Sequence, residues 1–186
     1  MSPTSKEMQT RNAINKKHSV VERSQWGLKI PKVSQLVSDW DFDSIVLHHS
    51  GNSGEKDPRA IEAKHIQDRG WDDVGYHYLI HPNGTIYEGR KIYHKGSHVS
   101  GANTGKIGIL LMGDFNEQWW DFDDTLSNSH ISAANRLTKT LRGHFTKVRK
   151  LGGHKEYLPG MGYTCPGNLI MDKLNRMRNK HGLNKP

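Results

Sequence analysis

The stretch KIGILLMGD, residues 106–114, constrains the fold of this 186-residue chain more than any other segment. Its apolar residues fall on both alternating faces of an extended chain. Successive side chains of a strand point to opposite faces, so both faces of this strand need apolar cover. The stretch therefore predicts the central strand of a sheet that carries helices on both faces, which is an α/β fold.

The preceding half of the chain supplies more elements of such a fold. Residues 43–50, DSIVLHHS, form a short β-branched run typical of a strand. Residues 57–70 read as a helix with Asp57 as its N-cap. Residues 76–90 read as two strands joined by a Pro-Asn-Gly turn. Strands and helices thus alternate around one sheet.

The C-terminal part continues this alternation within one domain. Apolar residues recur at helical spacing over residues 130–145, namely Ile131, Ala134, Leu137, Leu141 and Phe145. A short strand over 148–154 and a C-terminal helix over 167–182 follow. Residues 1–19 are polar and lack periodicity, which predicts a flexible N-terminal arm, with an early helix as the alternative. Residues 20–186 are then the single folded domain.

The charge and hydropathy of the chain limit its partners. The net charge is +8 and the pI about 9.6, which favours an anionic partner such as nucleic acid or an acidic polymer surface. No helix-turn-helix, zinc finger or aromatic RNP pattern is present, so we expect no nucleic-acid partner. No apolar run reaches the roughly 18 residues that cross a bilayer, so we expect no membrane insertion. The N-terminus lacks a hydrophobic signal region, which predicts synthesis in the cytoplasm.

The chain has one cysteine, Cys165, in the loop GGHKEYLPGMGYTCPGN, residues 152–168. A single cysteine cannot form an internal disulfide. It can be a small buried hydrophobic residue, a nucleophile or a metal ligand, and composition alone leaves all three open.

Twelve histidines are present, and His48 and His49 stand out because they end a predicted strand. Their imidazoles point to opposite faces, so only one of them can join a given site. The sequence does not say which face carries a site, and ordinary packing of both rings is the alternative.

His154 and Cys165 flank a loop rich in glycine and proline, which allows the two side chains to converge. Imidazole nitrogen and thiolate are both zinc ligands. One strand histidine, His154 and Cys165 would make three protein ligands, and the open fourth position would make the site catalytic rather than structural. The alternative is a buried free cysteine beside a surface histidine.

Several polar residues near the predicted strands could complete such a site: Tyr76, His77, His98 and Asn103. A tyrosine hydroxyl can donate a hydrogen bond to a developing oxyanion. For each of these residues, simple packing is the alternative.

Five blocks together resemble a known family. VVERSQWG, IVLHHSG, GWDDVGYHYLIHPNGTIYEGR, GSHVSGANTGKIGILLMGD and GGH…TCPGN occur in the order and register found in the type 2 N-acetylmuramoyl-L-alanine amidases. That family includes bacteriophage lysozyme-amidases and peptidoglycan recognition proteins. The resemblance runs from about Val20 to the C-terminus, and the five blocks in order make it specific.

The resemblance implies a single domain with a mixed central sheet flanked by helices, and a Zn²⁺ site. The implied zinc ligands are His48, His154 and Cys165. Tyr76 is implied to assist the reaction. The residues implied to contact substrate are His49, Trp71, His77, His98 and Asn103. The family often has Lys or Thr two residues before the ligand cysteine, where this chain has Tyr163, so Tyr163 is the second catalytic candidate.

The function implied by the resemblance is hydrolysis of the amide between the lactyl group of N-acetylmuramic acid and L-alanine, with peptidoglycan as the partner. Recognition-only members usually lack the cysteine, so Cys165 favours an enzyme. The alternatives are a non-catalytic peptidoglycan-binding module, a nucleic-acid-binding protein, and a hydrolase with Cys165 as nucleophile.

The biological setting has three candidates: a phage lysis enzyme, a delivered antibacterial toxin, and a cytosolic recycling enzyme, which fits the basic charge less well. In the first two, the protein acts on the cell wall or periplasm after release or delivery. We expect a monomer, and an immunity or inhibitor protein is a further candidate partner.

Overall fold

The structure, a computed structural model, describes residues 2–116 and 124–186. The helices are α1 (Ser5–Lys17), α2 (Arg23–Trp26), α3 (Pro58–Glu62), α4 (Asn128–His144), α5 (His154–Tyr157) and α6 (Asn168–His181). The strands are β1 (Ser44–His49), β2 (Tyr78–Ile80), β3 (Ile86–Glu88), β4 (Lys106–Leu111) and β5 (Lys150–Gly153). A 3₁₀ turn covers Val33–Gln35, and a π-helical turn covers Ala63–Asp68.

The five strands form one mixed sheet in the order β3-β2-β4-β1-β5. β2 and β3 are antiparallel, and the other neighbouring pairs are parallel. The sequence prediction of a mixed α/β sheet is confirmed. So is the central position of β4, where Ile107, Ile109 and Leu110 are fully buried because both faces of the strand are covered.

Helices cover the two faces of the sheet unequally. The larger core packs α1, α4 and α6 against one face, with Leu137 and Leu174 fully buried against Ile45 and Ile109. The smaller core lies on the other face, where Trp26 and Ile61 pack near Leu110.

The helix expected over 57–70 begins as predicted, because the Asp57 side chain accepts a hydrogen bond from the Arg59 N–H. After Glu62 it continues as the π-helical turn rather than as α-helix. Such wide turns are uncommon and often occur at functional sites. Here the turn places His65 beneath the groove described below.

Of the two alternatives for residues 1–19, a flexible arm and an early helix, the structure has the helix, α1. α1 starts with a capping box at Thr4 and Glu7. Ile14 is fully buried in the larger core. Arg11 forms two hydrogen bonds of 2.6 and 2.5 Å to the buried carboxylate of Glu88 in β3. The polar sequence left this helix as the second alternative, because its docking depends on the apolar Ile14 and on a long-range ion pair.

Each edge strand of the sheet is bordered by a short piece of chain from one terminus. Val21 forms an isolated parallel bridge to Tyr87 of β3, and Asn184 forms one to Lys150 of β5. The Val21 N–H donates to Ile86 and the Leu151 N–H donates to Asn184, at 2.9 and 3.0 Å. The backbone groups of both edges are therefore partly paired.

None of the helices in the described part of the chain combines the length and the apolar character needed to cross a bilayer.

Candidate metal centre

Two parallel strands bring histidines to one edge of the sheet. β1 ends at His48 and His49, and His154 follows β5 directly. The register pairs Leu47 with Gly153, so His48 and His154 are the next residues along neighbouring strands. Carboxyl ends of parallel strands lie at the same edge of a sheet, so these side chains start close together.

The thiol of Cys165 joins them from the loop between α5 and α6. The Lys155 N–H donates a 3.0 Å hydrogen bond to the Cys165 carbonyl, which holds the loop against α5. The Cys165 Sγ then lies 3.6 Å from His48 Nδ1. Ligand atoms of His48, His154 and Cys165 all lie within 4.8 Å of one another.

This donor set fits a zinc ion. Zn–S bonds of about 2.3 Å and Zn–N bonds of about 2.0–2.1 Å at tetrahedral angles separate sulfur from nitrogen by about 3.5 Å. The distance between Cys165 Sγ and His48 Nδ1 agrees with that value. The Nε2 atom of His154 is buried and has no hydrogen-bond partner among residues 2–116 and 124–186. An orphaned buried nitrogen in this position is suited to binding a cation.

A chain of hydrogen bonds assigns the tautomer of His48. His98 Nε2 lies 3.2 Å from the Lys106 carbonyl, which can only accept, so His98 carries its proton on Nε2. Its Nδ1 then accepts from His48 Nε2 at 3.0 Å. Nδ1 of His48 is left with a lone pair facing Cys165. Metal-binding histidines are usually oriented in this way by a partner on the other ring nitrogen.

Glycine makes room for this arrangement. Gly108 of β4 lies beside His98, and a Cβ there would come within 2.6 Å of the His98 ring. The same ring would be 2.4 Å from a Cβ on Gly96. Side chains at either position would displace His98 from His48.

Burial sets the protonation of the three donors. It lowers the pKa of His48 well below its usual value, helped by the nearby His98 and His154 rings, and it lowers the pKa of His154. Both rings are neutral at neutral pH, as metal binding requires. Burial also raises the pKa of the Cys165 thiol to about 12. A nucleophilic cysteine needs a lowered pKa, so this environment disfavours Cys165 as nucleophile and calls for a cation to stabilise its thiolate.

Tyr76 lies against the donor cluster. Its ring centroid is 5.0 Å from that of His48 and 5.4 Å from that of His65. Burial, together with the nearby Cys165, raises the pKa of Tyr76, so its hydroxyl stays protonated and can donate a hydrogen bond. The residue therefore has the protonation state expected for an oxyanion donor.

Tyr163 approaches from the opposite side. Its ring stacks on His154 at a centroid distance of 4.8 Å and an angle of 28°, and 39% of its surface is exposed. It lies above a candidate ligand in an exposed loop, with its ring rather than its hydroxyl making the contact.

The donor cluster opens into a groove of about 830 Å³. The sequence-predicted residues that line it are His49, Trp71, Tyr76, His98, Asn103, His154, Tyr163 and Cys165. The Asn103 Oδ1 accepts hydrogen bonds from the backbone of His98 and Val99, each 2.7 Å, which fixes the loop between them. The ring centroids of Trp71 and His65 lie 4.6 Å apart, with the ring planes tilted by 34°.

One predicted substrate residue, His77, needs correction. His77 is fully buried, away from the groove. Its Nδ1 accepts from the Gly108 N–H at 3.0 Å, and its Nε2 lies 2.9 Å from the His94 carbonyl. It therefore joins backbone segments instead of contacting substrate.

His49 borders the groove, so its contact with substrate stays a prediction. Its ring also bonds to the segment that follows β4. Its Nδ1 accepts from the Phe115 N–H at 3.2 Å and lies 3.4 Å from an Asp114 oxygen. The alternation argument for His48 and His49 thus holds, since only His48 joins the donor cluster.

The sequence analysis missed other groove residues, because they come from loops without a recognisable pattern: Gln35, Leu36, Val37, Arg69 and Lys95. It also missed His65, whose Nδ1 accepts from the Gly75 N–H at 3.1 Å and whose ring supports both Trp71 and Tyr76.

A family model described as N-acetylmuramoyl-L-alanine amidase matches residues 39–168, which include all three donor residues and Tyr76. The chain belongs to the type 2 N-acetylmuramoyl-L-alanine amidase family. The resemblance of the five sequence blocks is confirmed.

Relatives of this amidase-family chain include both recognition proteins and amidases. Peptidoglycan-recognition protein SC1a/b of Drosophila simulans is 30% identical over 163 residues, covering 83% of each chain. The N-acetylmuramoyl-L-alanine amidase LysC from Clostridium intestinale URNW has a similar structure, with a TM-score of 0.72, 27% identity, and coverage of 89% of this chain and 98% of that chain. The endolysin amidase LysCS from the same organism has a similar structure as well. Its TM-score is 0.70 at 26% identity, with coverage of 89% of this chain and 96% of that chain.

Proposed function

We propose that this protein is a zinc-dependent N-acetylmuramoyl-L-alanine amidase that hydrolyses the amide between the lactyl group of N-acetylmuramic acid and L-alanine in peptidoglycan. The observation that carries this proposal is the donor cluster of His48, His154 and Cys165, within 4.8 Å, at the floor of a groove in a chain of this family.

The three donors would hold the ion, and His98 would keep His48 in the tautomer with a free Nδ1. When bound, zinc lowers the pKa of a coordinated water and polarises a carbonyl oxygen. The residues of the chain do the rest. Because Tyr76 is protonated and borders the groove, it can donate a hydrogen bond to the oxyanion formed from the substrate carbonyl. One such donor contributes typically about 2.7–4 kcal/mol.

The groove lining offers this substrate both an aromatic side chain and positive charge. Trp71, backed by His65 and by the Arg69 guanidinium 5.1 Å from its ring, presents an aromatic face typical of sugar and peptide contacts. Arg69 and Lys95 bring positive charge to the lining, which suits the carboxylates of a peptide stem. A relative named for peptidoglycan recognition supports this substrate class.

The product distinguishes this activity from others. Digestion of purified peptidoglycan should release new amino termini at L-alanine without new reducing sugar ends. Reducing ends would show a glycosidase instead. Removal of metal with a chelator should stop the release and added zinc should restore it, whereas a cysteine hydrolase would keep its activity in the chelator.

A non-catalytic recognition module is the second candidate, because a relative at 30% identity is named as a recognition protein. Cys165→Ala separates the two. For the amidase, this change should remove product formation while binding to insoluble peptidoglycan persists. A recognition module would show no product in either protein.

We infer that the activity serves cell lysis, as a phage lysis enzyme or a delivered toxin, and the similarity to an amidase described as an endolysin supports this setting. Production in bacteria with an export signal to the periplasm should lyse the cells, whereas production without one should not. Harmless export would favour the recycling role.

A further inference from the structure

A second concave site lies at the end of the domain opposite the groove, and we call it the basic pocket. It is lined by Lys139, Arg142, Gly143, Thr146, Arg149, Lys180 and His181. Its volume is about 550 Å³, within the range of about 300–1,000 Å³ typical of ligand pockets. No carboxylate from residues 2–116 and 124–186 lines it.

Three cations of the basic pocket have side chains without a partner in the described part of the chain. The side chains of Lys139, Arg142 and Lys180 have no ion pair or hydrogen bond within the described ranges. The Arg149 side chain, in contrast, donates to the backbone carbonyls of Thr146 and Val148. Other cations of this protein find carboxylates, as Lys64 does with Glu55 at 2.7 Å. Lys139, Arg142 and Lys180 therefore remain available to an external anion.

The helix dipole explains only part of this arrangement. Arg142 and Lys180 lie in the last turns of α4 and α6, where positive charge is favourable. Lys139 precedes that last turn, and Arg149 lies outside both helices. Helix stabilisation does not require these two to face the same cavity as the others.

The pKa of His181 is sensitive to the positive charges of the basic pocket. His181 is 6% exposed, and its Nε2 lies 2.8 Å from the Asn135 side-chain oxygen. Burial lowers the pKa of His181, and the charges of Lys180, Arg142 and Lys139 lower it further. The three cations thus act on one small volume.

We propose that the basic pocket binds an anionic polymer of phosphodiesters joined by small polyols. Lysine and arginine side chains are the usual partners of phosphate oxygens. Single-stranded nucleic acids are bound by basic grooves that also carry aromatic platforms for the bases. Among the residues that the structure describes, no Phe, Tyr or Trp lines this pocket. A ligand with phosphates and without flat bases fits the lining better.

The position of the basic pocket suits an anchoring role. Arg149 precedes β5 and His154 follows it, and a four-residue strand spans about 13 Å. The two sites therefore lie at opposite ends of one strand and can be occupied together. That such a polymer would hold the groove near peptidoglycan rests on the proposed function, whereas binding itself does not.

Calorimetry with poly(glycerol phosphate) tests the proposal. The variant Lys139→Gln/Arg142→Gln/Lys180→Gln removes three pocket cations. The matched control, Lys17→Gln/Lys173→Gln/Arg176→Gln, removes three exposed cations elsewhere and has the same net charge.

The pocket variant should bind poly(glycerol phosphate) about tenfold more weakly than wild type, or weaker still. The slope of log K against log salt concentration should become less steep by about two. The control should stay close to wild type, and added polymer should raise the His181 pKa measured by NMR.

Three outcomes would overturn the proposal. Equal losses in the two triple variants would mean that diffuse charge does the binding. Tighter binding of a single-stranded oligonucleotide with the same number of phosphates, lost in the pocket variant, would assign the pocket to nucleic acid. Inorganic phosphate that competes at equal phosphate concentration would assign it to a single free anion. None of these outcomes depends on amidase activity.

Discussion

His48 Nε2 lies 3.0 Å from His98 Nδ1, and His98 in turn is bonded to the backbone carbonyl of Lys106. This relay orients the His48 ring and leaves its Nδ1 free toward Cys165. The resemblance implied a substrate contact for His98, and the geometry gives it a positioning role as well.

His98→Ala should therefore weaken zinc binding before anything else. Loss of a hydrogen-bonding partner behind a metal-binding histidine typically costs about 10–100-fold in metal affinity. Competition with a chelator measures this change, and the exposed His144→Ala is the control. An unchanged zinc affinity with a raised KM would leave His98 as a substrate contact only.

The two neighbouring strand histidines should behave differently on substitution. His48→Ala should abolish both zinc binding and hydrolysis, as should His154→Ala and Cys165→Ala. His49→Ala should retain zinc, because its ring bonds to the Phe115 amide on the other face. Metal analysis and thermal unfolding of each variant separate loss of the ion from loss of the fold. Equal zinc loss at positions 48 and 49 would contradict the assignment.

Tyr76→Phe and Tyr163→Phe should differ in their effect on kcat. Removal of an oxyanion donor lowers kcat by about 100–1,000-fold, and we expect this for Tyr76. Tyr163 contacts His154 through its ring, which phenylalanine keeps, so kcat should stay within about threefold of wild type. Steady-state kinetics of the two variants, each with its zinc content measured, will show which tyrosine affects kcat. A comparable kcat loss at Tyr163 would make it the second donor.

Arg11→Ala should destabilise the domain through β3. Glu88 is 1% exposed, and removal of Arg11 takes away its cation, although Asn15 still donates to it at 3.2 Å. Breaking a buried pair typically costs 3–5 kcal/mol, and the remaining bonds place this case near about 3 kcal/mol. Urea unfolding measures the loss. The exposed Lys6→Ala, on the same helix, should change little, and equal effects would mean that α1 is not docked through this pair.

Stability should fall in mild acid through His130. Burial, with the nearby charge of His81, lowers its pKa from 6.5 to about 4. The unfolded state therefore takes up this proton first as pH falls. The stabilisation is complete above about pH 6.5 and is lost as pH falls toward 4, by up to about 3 kcal/mol. Urea unfolding across this range should show a flatter profile for His130→Gln than for His144→Gln.

The parts of the fold and of the candidate site that the sequence predicts are those that depend on residues close together in the chain or on recognisable motifs. The apolar pattern of residues 106–111 was enough to place β4 at the centre of the sheet. The spacing of the motifs left His48 and His49 as alternatives, and the resemblance to the family selected His48, His154 and Cys165, which the fold brings within 4.8 Å of one another. The structural role of His77 could not be predicted from the sequence. Its ring bonds to the Gly108 N–H and the His94 carbonyl, and only the folded sheet brings these groups near it.

α1 illustrates the same limit. Its docking depends on Arg11 and Glu88, which are 77 residues apart in the chain. A periodicity search detects repeated apolar positions within one helix and is blind to a single ion pair that closes over such a distance.

The two terminal bridges have a consequence for aggregation. A sheet edge with free N–H and C=O groups can recruit a strand from another molecule. Here Val21 borders β3 and Asn184 borders β5, so each terminus shields one side of the sheet from a neighbouring copy. Trimming either end would expose a template for intermolecular strand pairing, even where the groove and its chemistry were left untouched.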